Sequence, residues 1–166
     1  MATTYTLISS VTVGSGGAAN ITFSSIPSTY TDLIVKLSGR SASGGDDAFY
    51  VYFNGSTSGY TGKRIYGDGS SAGSDSPAYF GTLTYNGQTA STFGSAEVYI
   101  PNYTSNNFKS ASTDATQENN ATFSVTTLVA NLWSNTAAIT QVQLVPVTAS
   151  NFQQYSTAYL YGISNA

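Results

Sequence analysis

Runs in which apolar and polar residues alternate at every second position recur along the chain, separated by Gly, Ser and Asn, while helix-forming residues are scarce. Period-two alternation marks a strand with one buried face, so the pattern predicts an all-β protein. In Leu33-Ile34-Val35-Lys36-Leu37, the residues Leu33, Val35 and Leu37 share one face and are predicted core, with Lys36 pointing the other way. Phe49, Val51 and Phe53 alternate with Tyr50 and Tyr52, whose hydroxyls need water or a partner. That strand therefore turns one face to the core and the other to a wet surface or an interface. Further strands are predicted at Tyr5-Thr6-Leu7-Ile8, Asn20-Ile21-Thr22-Phe23, Ala96 to Ile100, Thr122 to Val129, Ile139 to Val147 and Ala158 to Tyr161.

Turn chemistry divides these runs. Asn-Gly favours the positive φ angles of a tight hairpin, which predicts one hairpin at Asn54-Gly55 and another at Asn86-Gly87, between Leu83-Thr84-Tyr85 and Gln88-Thr89-Ala90. Loops are expected at Gly14 to Gly17, Ser41 to Asp47, Gly67 to Ser76 and Thr104 to Ser112. With the hairpin strands included, the count reaches roughly eight to ten antiparallel strands, the number of a β-sandwich. None of the loops has the composition of an interdomain linker, and no heptad or fixed-period repeat points to a shaft. The expectation is one compact β-sandwich domain over residues 1–166.

Composition narrows the partners. Charged residues make up 8% of the chain, against roughly 25% in an average soluble protein. With 13% aromatics and a net charge of only −3 the chain has the means to fold. Five Lys+Arg against eight Asp+Glu cannot build a phosphate-neutralising footprint, which argues against nucleic acid or an anionic membrane as partner. A weakly charged surface also predisposes a protein to associate. The first residues lack the basic head and apolar run of a secretory signal, and no stretch approaches the ~20 apolar residues of a membrane span.

The chain contains no Cys and no His. Thiolate nucleophiles, disulfides, Ser-His-Asp and Cys-His catalysis, and imidazole- or thiolate-bound zinc are therefore excluded. Paired carboxylates remain chemically possible, with Asp46, Asp47, Asp68, Asp75, Glu97, Asp114 and Glu118 as candidates, but Asp46-Asp47 and Asp68-Gly69-Ser70 read as turn formers. Gly67 to Ser70 with Asp75 carries a faint hint of calcium but lacks the spaced acidic ligands of a calcium loop. Gly14-Ser15-Gly16-Gly17 has neither a following Gly-Lys-Ser/Thr nor a strand-to-helix switch, and reads as a turn rather than a phosphate loop. Lys63-Arg64 is the one basic pair, and it reads as a solvated or edge-protecting feature. We expect no catalytic residue, no metal and no cofactor.

Tyrosine is the abundant aromatic, with 13 residues. Together with Ser, Gly and Asn it forms the palette of adaptable binding surfaces, although the same residues are ordinary occupants of a half-exposed sheet. Alternation places Tyr50, Tyr52, Tyr99, Tyr103, Tyr159 and Tyr161 outside the core, which makes them the candidate interface or ligand-facing residues. Trp133, the lone Trp, sits in an apolar segment and reads as core.

Several stretches together carry a resemblance: Tyr5 to Ser10, Ile21 to Pro27, Tyr30 to Leu33, Glu97 to Tyr103, Gln117 to Ala121, Leu132 to Thr136 and Tyr159 to Ile163. The series resembles small structural proteins encoded by tailed bacteriophages, notably those of aquatic bacteria and cyanobacteria, over nearly the whole chain. The resemblance implies a virion component built as a β-sandwich or jelly roll, often a homotrimer, with no enzymatic motif. On that footing the expected function is non-enzymatic: a capsid decoration or cement protein at the virion surface, made in the bacterial host cytoplasm. Its partners would be copies of itself and the major capsid protein or another virion protein. The other reading is a tail-fibre or spike head domain that binds a host-surface glycan or protein. A strand pattern that begins within a few residues of Met1, without anchor or shaft, favours decoration.

Overall fold

The computed structural model describes residues 4–120 and 124–164. Among these there is no helix, and twelve strands carry the structure. They are β1 (Tyr5–Thr12), β2 (Ile21–Phe23), β3 (Asp32–Ser41), β4 (Asp47–Phe53), β5 (Tyr60–Gly67), β6 (Ala72–Asp75), β7 (Gly81–Tyr85), β8 (Gly94–Ile100), β9 (Lys109–Gln117), β10 (Val125–Trp133), β11 (Val142–Pro146) and β12 (Thr157–Ile163). A large layer runs β1-β12-β3-β8-β9-β10-β5-β6, and a small layer runs β2-β11-β4-β7. Each pairing is antiparallel except one, where Arg40 and Ser41 at the end of β3 run parallel to Thr84 and Tyr85 of β7. At that seam a continuous sheet folds over itself into two layers without closing into a barrel.

The core lies between the layers. Leu33, Val35 and Leu37 of β3 are buried as their alternation requires, as are Phe49, Val51 and Phe53 of β4, and all six join one cluster with Val98, Ile100, Val142 and Leu144. Trp133 is buried with them. At one end the cluster is aromatic: Phe53 meets Trp133 at 5.6 Å and Phe80 at 6.0 Å, both edge-on, and Tyr60 stacks on Trp133 at 6.1 Å. The Tyr60 hydroxyl accepts the Phe53 backbone N–H at 2.7 Å.

Local turn chemistry is obeyed where the expected connection is not. Asn54 and Gly55 do adopt φ of 53° and 72°, yet β4 and β5 do not pair, because the chain passes there from the small layer to the large one. The Asn54 carboxamide then serves as an anchor, accepting from the Thr140 and Gln141 amides and donating to the Ala138 carbonyl. Gln88 to Ala90 is likewise not a strand. Two strands run into expected loops, β6 within 67–76 and β9 over the last four residues of 104–112, and β5 lies where no strand is predicted, so the count is twelve rather than eight to ten. The predicted strand at 122–129 begins outside the described residues and, as β10, extends to Trp133.

Residues 86–92 instead form a wrapping for Arg40. This side chain is buried, and its guanidinium donates to the carbonyls of Thr89 and Thr92 at 2.9 Å each, Gln88 at 3.0 Å and Asn86 at 3.4 Å, and to the Thr92 hydroxyl at 3.1 Å. Burial lowers its pKa, the direction expected for a cation withdrawn from water. Lys109 is treated in the same way: buried, with its ammonium donating to the carbonyls of Ser105, Asn107 and Thr136 and its pKa lowered by burial.

Removing the Arg40 fork would strand several carbonyls inside the seam. Arg40→Ala is expected to lower the unfolding free energy by about 3 kcal/mol in urea denaturation; an unchanged midpoint would show that the 86–92 loop stands without it. The aromatic end predicts alkaline sensitivity. Burial pushes the Tyr60 phenol from its ordinary 10 up to about 12, so the fold favours the neutral form. That contribution is complete below pH 10 and is lost as pH rises toward 12. Urea midpoints should therefore fall across this window, and less steeply for Tyr60→Phe; identical profiles for the two proteins would refute the assignment.

Candidate functional site

The outer face of the large layer is carried by eight strands. Period-two alternation and the register set its side chains in two rows. Leu7, Tyr161, Ile34 and Tyr99 stand side by side from β1 to β8, and Ser112, Ala130 and Lys63 continue the row to β5. The second row runs Tyr159, Lys36, Glu97, Asp114, Leu128 and Ile65. Its charged middle is partly cancelled, since Lys36 and Glu97 pair at 2.7 Å and the carboxylate raises the Lys36 pKa. Apolar side chains stand exposed on both sides of it: Tyr5, Leu7 and Tyr159 at one end, Ile65 at 59% and Leu128 at 50% exposure at the other. Between the latter and β6 the face dips into a depression of about 730 Å³.

The sequence-predicted tyrosines do not form one cluster. Tyr99, Tyr159 and Tyr161 lie on this outer face, where Tyr159 and Tyr161 stack at 6.5 Å and Tyr99 donates its hydroxyl to Asp32 at 2.9 Å. Tyr50 and Tyr52 stack at 5.4 Å on the far side of the sandwich, outside the small layer. Tyr103 is a correction: it is completely buried, with its hydroxyl bonded to the Pro27 carbonyl. The reason is a break in phase. β8 ends at Ile100, and the turn through 101–104, with Asn102 at φ 49°, swings Tyr103 inward where uninterrupted alternation would have carried it outward beside Tyr99.

A second feature opens between the layers, where the β5–β6 hairpin meets the ends of β4, β7 and β9. It is a cleft of about 360 Å³ lined by Arg64, Tyr66, Asp68, Tyr79, Thr82 and Gln117, with Asp46 and Asp47 at its margin. Arg64 is held in a fork by Asp75, Nε to Oδ1 at 2.9 Å and Nη2 to Oδ2 at 2.5 Å, and its guanidinium lies 4.3 Å over the Tyr66 ring and 5.3 Å from that of Tyr79. Burial raises the Tyr79 phenol pKa. The segment carrying Tyr79 passes directly beneath β5 at Gly62, where a Cβ would stand 2.2 Å from the Pro77 carbonyl oxygen; only glycine admits that crossing.

The carboxylates weighed for catalysis are mostly engaged in holding structure. Asp68 accepts from the amides of Ser71 and Ser70 and from both their hydroxyls, which drives its pKa well below the carboxylate range. Asp47 accepts from Ala48, Thr148 and Ser150, and Asp75, Glu97 and Glu118 hold Arg64, Lys36 and the Asn120 amide. The faint calcium hint dissolves in the same way, since Asp68 closes its own turn while Asp75 is committed to Arg64. Among the described residues no three acidic, His or Cys side chains converge as a metal site, and no helix is long and apolar enough to cross a membrane. Lys63 and Arg64, expected as a solvated or edge-protecting pair, lie on β5 and point to opposite faces, Lys63 exposed and Arg64 half-buried.

Comparison with protein-family models, with curated proteins and with solved structures finds no match.

The two fates of tyrosine separate in a stability measurement. Tyr103→Phe should cost about 1 kcal/mol through the lost bond to Pro27, and Tyr103→Ala about 3–5 kcal/mol through the cavity. Tyr159→Ala should stay within about 0.5 kcal/mol of the parent. Thermal unfolding of the three variants checks the ranking, and equal losses at Tyr103 and Tyr159 would contradict it.

Proposed function

We propose that the chain is a non-enzymatic structural protein of a tailed-phage virion, a decoration protein that lies on the capsid through the outer face of its large layer. The observation that carries the reading is the pair of exposed apolar ends, Leu7 with Tyr5 and Tyr159, and Ile65 with Leu128, on one broad face where Lys36 and Glu97 pair. Exposed apolar side chains gathered at two ends of one face suit a contact with another macromolecule. Docking by a face also suits the sheet edges. β2 and β6 are only three and four residues long, and β1 is interrupted by an irregularity between Leu7 and Ser9, all of which discourage strand-to-strand addition. The absence of His and Cys, the engaged carboxylates and the resemblance to phage structural proteins support the same reading.

The mechanism is mechanical. Each copy adds interface between neighbouring shell subunits, and a homotrimer presents several weak faces at once, so affinity grows through effective concentration without strong individual contacts. The decisive measurement is the copy number per purified particle, by quantitative mass spectrometry against the major capsid protein. A shell role requires on the order of hundreds of copies, whereas about a dozen would move the protein to the tail and make it a fibre head. Leu128→Asp and Ile65→Lys, both on the exposed face, should leave the melting temperature unchanged and abolish incorporation into particles. Full incorporation of both variants would rule out this face as the contact.

A further inference from the structure

Asn is followed by Gly twice in the chain, at Asn54-Gly55 and at Asn86-Gly87, and the two pairs are held in different ways. Both occupy the middle of a hydrogen-bonded turn, closed by the Ser56 amide on the Phe53 carbonyl at 3.0 Å and by the Gln88 amide on the Tyr85 carbonyl at 3.1 Å. In the first turn both φ angles are positive, 53° and 72°. There the Asn54 carboxamide is fixed from both ends: Oδ1 accepts from the Thr140 and Gln141 amides at 2.8 and 3.1 Å, and Nδ2 donates to the Ala138 carbonyl at 2.8 Å. In the second turn neither residue has a positive φ. Asn86 is exposed, and among the described residues its carboxamide is bonded at one end only, where Oδ1 accepts from Nε2 of Gln153 at 3.0 Å.

The difference decides a reaction that needs no enzyme. A glycine nitrogen, unshielded by a Cβ, can attack the carboxamide of the Asn before it. A bond forms between the Gly nitrogen and Asn Cγ, the Cγ–Nδ2 bond breaks, and Nδ2 leaves as ammonia with the amide proton. Water then opens the five-membered imide at either carbonyl, leaving aspartate or isoaspartate. Ring closure requires Cγ to swing onto the following nitrogen, so each bond that fixes the carboxamide elsewhere must first be given up. Packing also keeps position 87 for glycine, since a Cβ there would stand 2.8 Å from both the Gly44 carbonyl oxygen and the Tyr85 ring. We propose that Asn86-Gly87 is a site of spontaneous deamidation in the folded protein and that Asn54-Gly55 is protected from it. The site belongs to the wrapping of Arg40. In the isoaspartate product the main chain runs through Cγ, and the former Asn86 carbonyl, which accepts from the guanidinium at 3.4 Å, becomes one oxygen of a free carboxylate. Ageing thereby sets an anion against a cation that the newly made chain surrounds with carbonyls and a hydroxyl. The reaction is independent of where in a particle the protein sits.

The test incubates the whole folded chain in mildly alkaline buffer, where the glycine nitrogen attacks more readily as its anion. Peptides are then mapped by mass spectrometry, with electron-transfer fragmentation to separate aspartate from isoaspartate. Position 86 should convert at least about tenfold faster than position 54, because giving up the additional bonds of the Asn54 carboxamide costs at least that factor. In urea the two rates should converge, since both pairs are then Asn-Gly in an open chain. Asn86→Gln should abolish conversion in its own peptide and leave the rate at position 54 unchanged. Isoaspartate should be among the products at position 86. The proposal is overturned if position 54 converts as fast as position 86 in the folded chain, if position 86 converts only in urea, or if no isoaspartate forms there.

Discussion

Arg40 sits where β3 leaves the large layer and begins to pair with β7 of the small one, and carbonyl oxygens rather than a carboxylate surround its guanidinium. Withdrawing a cation from water costs several kcal/mol unless its donors are met. Here five acceptors meet them, all from 86–92, the stretch that joins β7 to β8. The same loop would be an open run of polar backbone without the guanidinium. Each therefore depends on the other, and between them they hold the seam about which the sheet turns. Ser156 and Gln153 close the seam from the β12 side, bonding the backbone of Arg40 and Ser41.

This use of charge reaches the surface. Of five basic residues, Arg40 and Lys109 are buried among carbonyls, Lys36 and Arg64 are paired with carboxylates, and Lys63 donates to the Ser76 hydroxyl at 2.6 Å. Little unmatched positive charge is left on the exterior. Long-range electrostatic steering of a positive kind is correspondingly weak.

Strands whose alternation pairs large apolar with polar residues were legible from the sequence: β3, β4, β8 and β12 lie where their residues placed them. β9 was not. Its inward residues are Lys109, Ala111, Thr113, Ala115 and Gln117 and its outward ones Ser110, Ser112, Asp114 and Thr116, so the two faces scarcely differ in hydropathy. Asn54-Gly55 announced its own backbone angles correctly, but a two-residue turn says nothing of which strand the chain meets next. Tyr103 shows the limit of parity, which holds only while the strand is unbroken. The cleft was less legible still. Gln117, Thr82 and Tyr79 come from separate segments, and nothing in their local sequence marks them.

The run from Lys63 to Tyr66 is where the two surfaces meet. Along β5, Lys63 and Ile65 point out to the broad face while Arg64 and Tyr66 point in to the cleft. A slip of one residue would exchange the sets, putting a bare guanidinium on the apolar face and Ile65 into the cleft. Several devices hold that register independently. Arg64 is forked to Asp75 on β6, Gly62 alone admits the Pro77 carbonyl beneath it, and Asn131 on the neighbouring strand donates to the Tyr79 carbonyl at 3.2 Å. The first fixes β5 against the sheet edge and the other two fix the segment that crosses under it. A strand with two glycines among its eight residues and Ile65 as its one aliphatic side chain has little hydrophobic pattern of its own to set its phase, and these polar and steric contacts supply what the pattern lacks.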